Sequence, residues 1–221
     1  MEHSIFIKQI GTGLDFSNLI VDGKSATLAR SNVFQGQYDD SNKVFTFKRN
    51  DFISSGGSSE IIKNDVLVCL EERWAGCIGV SEEINYKSSA ISSRCVYSIS
   101  LKEESSKVFF ENSRVYKDEK PYFFLANNLI LLDQVNEFYY DSNSGYLYYY
   151  PSDKNAINSS SFIIPEIETI LDTTGLVDRV TFNNFVFNGS NFTYPLNRYL
   201  LLCACIQHHR VLCRSYLLRV L

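Results

Sequence analysis

The chain has 221 residues and a formal charge of −4, with 45% apolar and 21% charged side chains, enough for one large domain or two small ones. The acidic balance, with a pI near 5.4, argues against a nucleic-acid partner, because phosphate binding needs a clustered basic surface. No run of about 18 uninterrupted apolar residues offers a membrane span, and 16 Phe and 14 Tyr with many Val, Ile and Thr favour β structure.

The start, "MEHSIFIKQIGTG", lacks the basic n-region and apolar stretch of a secretory signal. Its "GTG" at 11–13 lacks the strand–helix context of a dinucleotide fingerprint. Residues 1–16 read as an N-terminal extension, and 17–155 as a β-rich cap. The cap opens with "LIV" and "SATLA" as a short hairpin about "DG", a pair that tolerates positive φ. "KVFTFKR" at 43–49 reads as a strand and "ISSGGSSE" at 53–60 as a flexible loop. "VLVCLEERW" is a strand with Val66, Val68 and Leu70 facing one way, and "RCVYSISLKEE" and "SKVFFENSRVY" are two more.

The most distinctive stretch is "NEFYYDSNSGYLYYYP", residues 136–151. It reads as two antiparallel strands joined through Gly145, which supplies the backbone conformation of a tight turn. Period-2 alternation splits the aromatics, with Phe138 and Tyr140 opposite Tyr139, and Tyr146, Tyr148 and Tyr150 opposite Leu147 and Tyr149. Cross-strand aromatic pairs stabilise a hairpin by roughly 0.2–1 kcal/mol each, and Pro151, having no donor, ends the strand. Two readings stand: a self-stabilised structural hairpin, or a sugar-stacking platform with Tyr139, Tyr148, Tyr149 and the lone Trp74 as carbohydrate-binding candidates.

From 156 to 195 the rhythm changes to very short strands between polar turns. In "VTFNNFVF" Val180 and Phe182 point inward, Asn183 and Asn184 bend the chain, and Phe185 and Phe187 point inward again. An Asn corner between three-residue strands suits a parallel β-helix coil. Residues 196–221 break this pattern, with no Asp or Glu, four Arg, two of the three His and half the cysteines. This basic hydrophobic tail is expected to be foreign to the domain, through a misassigned exon boundary, frame change or alternative terminus.

The six cysteines, at positions 69, 77, 95, 203, 205 and 213, have no zinc-finger spacing. They read as buried thiols, with a Cys69–Cys77 disulfide as the alternative. The cluster "CACIQHHRVLC" has zinc-type ligands in spacings that match no structural site, so neither a metal nor a cofactor is expected. Sequons at Asn158, Asn188 and Asn191 are glycosylation acceptors or chance occurrences in an Asn- and Ser-rich chain.

Four stretches together resemble one family over residues 17–192. "FSNLIVDGKSATLARSN" is similar to the opening of large right-handed parallel β-helix proteins, with the pattern L-x-V-N-G-K-x-x-T-L-A-R-W-P-N. "VLVCLEERWAG" resembles their strand ending in Trp, here Trp74. "NNLILLDQVNEFYYDSNSGYLYYYP" is similar to N-x-L-x-x-L-D-x-P-G-E-W-Y-x-D-x-x-x-G-x-L-Y-Y-x-P, with Asp133, Glu137, Tyr139, Asp141, Gly145, Leu147, Tyr148, Tyr149 and Pro151 in place. "IIPEIETILDTTG" and "VDRVTFNNFVFNGS" resemble the first rungs. The chain departs where W-P becomes Ser31–Asn32 and where P-G-E-W becomes Val135-Asn136-Glu137-Phe138.

The resemblance implies a pectin-lyase-like, all-β fold: a barrel- or sandwich-like cap leading into the first one or two coils of a right-handed parallel β-helix. It also implies glycoside hydrolysis on a polysaccharide or glycan, with catalytic acids in rungs of the helix body, and an extracellular place if the full-length member is secreted. Hydrolysis uses two carboxyls about 5–5.5 Å or about 6.5–9.5 Å apart. Glu166 and Glu168, about 6.5–7 Å apart by strand rise, are the catalytic candidates, against a structural role for both. Asp133, Glu137 and Asp141 read as turn and register anchors. The expected function is therefore an N-terminal portion of a glycoside-hydrolase-type protein, inactive on its own. The alternatives are a non-catalytic glycan- or protein-binding module, or a fragment without independent function.

Overall fold

The structure, a computed structural model, describes residues 5–39, 41–54, 62, 66–71, 76–91, 94–106 and 121–166. In chain order the strands are β1 (Phe6–Gln9), β2 (Ile20–Val21), β3 (Lys24–Ser25), β4 (Thr27–Leu28), β5 (Phe34–Gln35), β6 (Gln37–Asp39) and β7 (Val44–Lys48). A single-turn helix, α1 (Arg49–Ser54), precedes β8 (Leu67–Glu71), β9 (Gly76–Lys87), β10 (Val96–Leu101) and β11 (Tyr122–Ala126). The described chain closes with β12 (Glu137–Asp141), β13 (Tyr146–Tyr149) and β14 (Phe162–Ile163).

These strands form three sheets. A seven-stranded sheet runs β5-β11-β8-β9-β10-β7-β6, a four-stranded one β1-β13-β12-β4, and a three-stranded one β14-β2-β3. All pairs are antiparallel except β4 with β12. The fold is thus all-β, as composition predicts, and mostly antiparallel.

The large sheet is curled. Its two outermost strands, β5 and β6, are separated in sequence by Gly36 alone, so the sheet's ends must meet at that residue. A Cβ at Gly36 would run into the Phe123 ring and come within 2.9 Å of the Thr46 carbonyl oxygen; only glycine lets the strands approach there. The other device is β9, whose first half pairs with β8 and whose second half pairs with β10, with a register shift at Ser100/Leu101. Such an irregularity bends a sheet and increases its twist.

Inside the curl lies the main core. Alternation in "VFTFK" and "VYSISL" buries Phe45 and Phe47 from β7 and Tyr97, Ile99 and Leu101 from β10. Phe52 of α1 completes an aromatic cluster with Phe34, Phe47 and Tyr97. Phe123 is fully buried against Phe34, Phe45 and Phe47. Offset and edge-on pairs like these add to the area they bury.

Several elements differ from the sequence reading. α1 takes the residues just after "KVFTFK", so 49–54 are helical where a strand end and loop were expected. β9 and β11 were not anticipated at all. "SKVFFENSRVY" lies outside the described residues except for its first. Val66, Val68 and Leu70 are buried together as expected, and Cys69 is buried as well. Cys95 is buried too, and the Cys77 side chain, the other half of the Cys69–Cys77 alternative, lies outside the described residues. Parallel coils are not seen among the described residues: β14, in the span expected to begin them, pairs antiparallel with β2, and 167–195 lie outside.

Candidate functional site

The aromatic hairpin forms as read. β12 and β13 pair Phe138 with Tyr149, Tyr139 with Tyr148, Tyr140 with Leu147 and Asp141 with Tyr146. Gly145 closes the turn at φ 75°. Asp141 anchors it: one carboxylate oxygen accepts from the Asn143 amide at 3.0 Å and the other from the Ser144 hydroxyl at 2.6 Å. The Ser144 bond holds the Asp141 carboxyl below its ordinary range.

β1 lies along the hairpin's outer edge, pairing Phe6, Ile7, Lys8 and Gln9 with Tyr149, Tyr148, Leu147 and Tyr146. The "GTG" that follows wraps the turn. The Ile10 amide donates to the Gly145 carbonyl at 2.9 Å and the Gly13 amide to that of Ser142 at 3.1 Å. Gly11 and Gly13 both have positive φ, so these glycines serve a backbone path around the hairpin.

The two faces of this sheet meet different neighbours. Phe138, Tyr140, Leu147 and Tyr149 join Phe16, Leu19 and Val21 in a second, smaller core. On the other face Tyr139, Tyr148 and Tyr150 pack against the main core. Tyr150 and Tyr149 are buried, Tyr139 and Tyr148 half-buried. Tyr149 has its hydroxyl donating to Asn136 Oδ1 at 3.0 Å and its ring edge-on to Phe162.

The buried acid is Glu137. Its carboxylate accepts from three backbone amides, Arg30 at 3.4 Å on one oxygen, Asp133 at 3.2 Å and Gln134 at 3.1 Å on the other. It thereby ties the loop 129–136 and the chain after β4 to the start of β12. Burial pushes its carboxyl up, the amides of Gln134 and Asp133 oppose this, and the Asp133 charge adds to the rise. A carboxylate satisfied on both oxygens by backbone donors holds structure together; it leaves little to offer a reacting bond.

The positions where the chain departs from the family pattern carry local bonds. Asn136 adopts φ 69°, a conformation Asn tolerates better than most side chains. Ser31 is buried, its hydroxyl accepting from the Leu125 amide at 3.1 Å and donating to the Asn32 carbonyl.

Of the catalytic candidates, Glu166 is exposed and lies beyond β14, outside any strand. Glu168, Trp74, Asn188 and Asn191 lie outside the described residues. Asn158 is exposed in a 3-10 turn, Ile157–Ser159. Among the described residues no group of three or more His, Cys, Asp and Glu is placed to hold a metal, and no helix is long and apolar enough to cross a membrane. Sequence reasoning placed Tyr146 on the face of Tyr148 without counting it as a binding candidate, and it missed Ile7 on the same face; the two are 38% and 54% exposed. Recognising β1 as a strand would have found Ile7, but four residues with one exposed apolar side chain give little periodicity.

Neither a protein-family model nor a curated protein matches the chain. A solved structure described as "Glycoside hydrolase" has the same fold, with a TM-score of 0.57 at 21% identity. The likeness covers 75% of this chain and 30% of that one, so the chain spans less than a third of the length of its structural neighbour.

Proposed function

We propose that the chain is the N-terminal, β-rich part of a carbohydrate-active protein of the glycoside-hydrolase type, and that by itself it hydrolyses nothing. The observation that carries this reading is the structural likeness, which runs over three quarters of the chain and under a third of a glycoside hydrolase. The long hairpin motif supports the finer assignment to the pectin-lyase-like group, with parallel coils following residue 156. Glu137 supports the non-catalytic part of the reading, because its oxygens are taken up by backbone amides. Paired carboxyls for hydrolysis then belong to rungs beyond the residues described.

Two measurements test this. Mass-spectrometric mapping of the endogenous protein should find peptides running from "NGSNFTYP" into further rungs, and that longer product should release reducing sugar from a polysaccharide while the 221-residue chain does not. Release by the 221-residue chain would overturn the non-catalytic assignment. A longer product that neither binds nor cleaves any glycan would overturn the carbohydrate class. A second reading, a binding module with no catalysis in any form, is favoured by the partly open tyrosine face of the hairpin sheet and would be upheld by binding without turnover.

A further inference from the structure

The four-stranded sheet has one face that is only partly covered. Alternation along β1, β12 and β13 puts Ile7, Tyr148 and Tyr139 in one cross-strand row, and Gln9, Tyr146 and Asp141 in the next row on the same face. Towards β12 this face turns into the main core, where Tyr139 and Tyr148 pack. Towards β1 it opens to solvent: Ile5, Ile7 and Tyr146 are exposed and Tyr148 half-exposed. The rings follow one another outward, Tyr139 to Tyr148 at 6.0 Å and Tyr148 to Tyr146 at 6.5 Å between centroids.

From this arrangement we infer that the open face of β1 and β13, with Tyr146 and Tyr148 as its rings and Ile7 beside them, is a binding site for a neutral polysaccharide. This rests on the carbohydrate class proposed above and adds the place and the charge class of the ligand.

Three features point to that occupant. A row of tyrosines with apolar bodies and polar tips suits a surface that is apolar on its faces and hydroxylated at its edges, as a pyranose chain is. Tyr148 is held from behind by the core and Tyr146 lies against Tyr148, so part of the side-chain freedom is already given up before binding. Among the described residues, the two rows of this face also carry no cation. They contain Gln9 and Asp141 but no Lys or Arg, and alternation assigns Lys8 to the opposite face. Asp141 is kept ionised by the Ser144 hydroxyl, so a uronic-acid polymer would meet a like charge and no counter-charge.

The test is affinity electrophoresis of the 221-residue chain through gels containing a neutral β-glucan, a xylan, a galactomannan or polygalacturonate. At least one neutral polymer should retard the chain, and Tyr146→Ala should weaken that retardation about ten-fold, as truncating a central aromatic contact does. Tyr146→Phe, which keeps the ring, should bind like the parent. Tyr146→Phe keeps the ring against Tyr148 and should keep the parental urea midpoint, whereas Tyr146→Ala should lower it slightly and leave the chain folded.

Retardation unchanged by Tyr146→Ala overturns the site. Retardation by polygalacturonate alone overturns the neutral class, and retardation by none of the polymers overturns the inference as a whole. Tyr146-dependent dimerisation without retardation would overturn it in favour of a second copy as the occupant. None of these outcomes bears on whether the longer product cleaves glycans, so the two proposals fail separately.

Discussion

The Tyr140 hydroxyl donates to the Gly11 carbonyl at 2.7 Å and accepts from the Leu14 amide at 3.2 Å, fastening the N-terminal segment to a strand 129 residues further along. A single phenol thus satisfies two backbone groups of a loop that has no ladder of its own. Tyr140→Phe keeps the ring in the second core beside Phe16 and removes only the oxygen. The expected cost is about 1–2 kcal/mol, a lost hydrogen bond plus a partly buried amide left without its acceptor. The urea midpoint should fall with an unchanged m value; a midpoint equal to the parent's would show that the loop finds water as good a partner.

Gly145 and Gly23 share a left-handed conformation, φ 75° and 76°, yet they should respond differently to alanine. A Cβ at Gly23 meets nothing within 4 Å, whereas one at Gly145 comes within 2.7 Å of the Gly11 backbone. Gly23→Ala therefore incurs backbone strain alone, about 1–2 kcal/mol. Gly145→Ala adds about 1–3 kcal/mol of overpacking against a segment that must move, and should also strip hydrogen-exchange protection from the Ile10 amide. Equal losses for the two substitutions would mean that residues 10–13 do not seat on the hairpin turn.

Closure of the large sheet makes a prediction about coupling. Gly36→Ala forces its new methyl onto the Phe123 ring, so shortening that ring should relieve part of the cost. Phe123→Leu alone should destabilise through lost packing in the core. Combined with Gly36→Ala, the loss should fall short of the sum by about 0.5–3 kcal/mol. Strict additivity would place Gly36 away from Phe123, and the close approach of the two sheet ends could then not be what curls the sheet.

How much of this could be read from the sequence depended on how local the cause was. The hairpins were legible because their causes are short-range: Asp22 and Gly23 turn one, Gly145 turns the other, and alternation sorts the tyrosines. β9 was not legible. "GCIGVSEEINYK" mixes Gly, acidic residues and only scattered β-formers, and it is a strand because β8 and β10 supply partners on both sides, a tertiary cause that overrides propensity. β11, "YFFLA", is a continuous apolar run with no period to read. The candidate site divided similarly. Tyr148 and Tyr139 were found through the hairpin, but alternation within β13 separates Tyr149 from them, and only the packing around the sheet shows that Tyr146 is the exposed ring.

Glu137 provides the pH prediction, and its sign follows from two opposed causes. Burial and the Asp133 charge favour the neutral acid, while three amide donors favour the anion; burial is the larger, and the carboxyl is raised above its ordinary 4.5. The folded state therefore holds the proton more tightly than the unfolded chain does. The contribution from this group is fully present below 4.5 and is lost as the pH rises through the folded value. Asp133 has the same sign of shift, but it is exposed at the surface, so water screens its share. Asp141, Asp22 and Asp39 are shifted down, and their contributions are lost only as the pH falls through the folded values. Glu137→Gln removes the titration and keeps the size of the side chain. As the pH rises from 4.5 through the folded value the parent should lose stability relative to this variant, read as a converging or crossing pair of urea midpoints. If the parent instead gains on the variant as the pH rises, the amides of Arg30, Asp133 and Gln134 outweigh burial. Glu137 would then be an ionised latch, stabilising the loop by charge-assisted bonds.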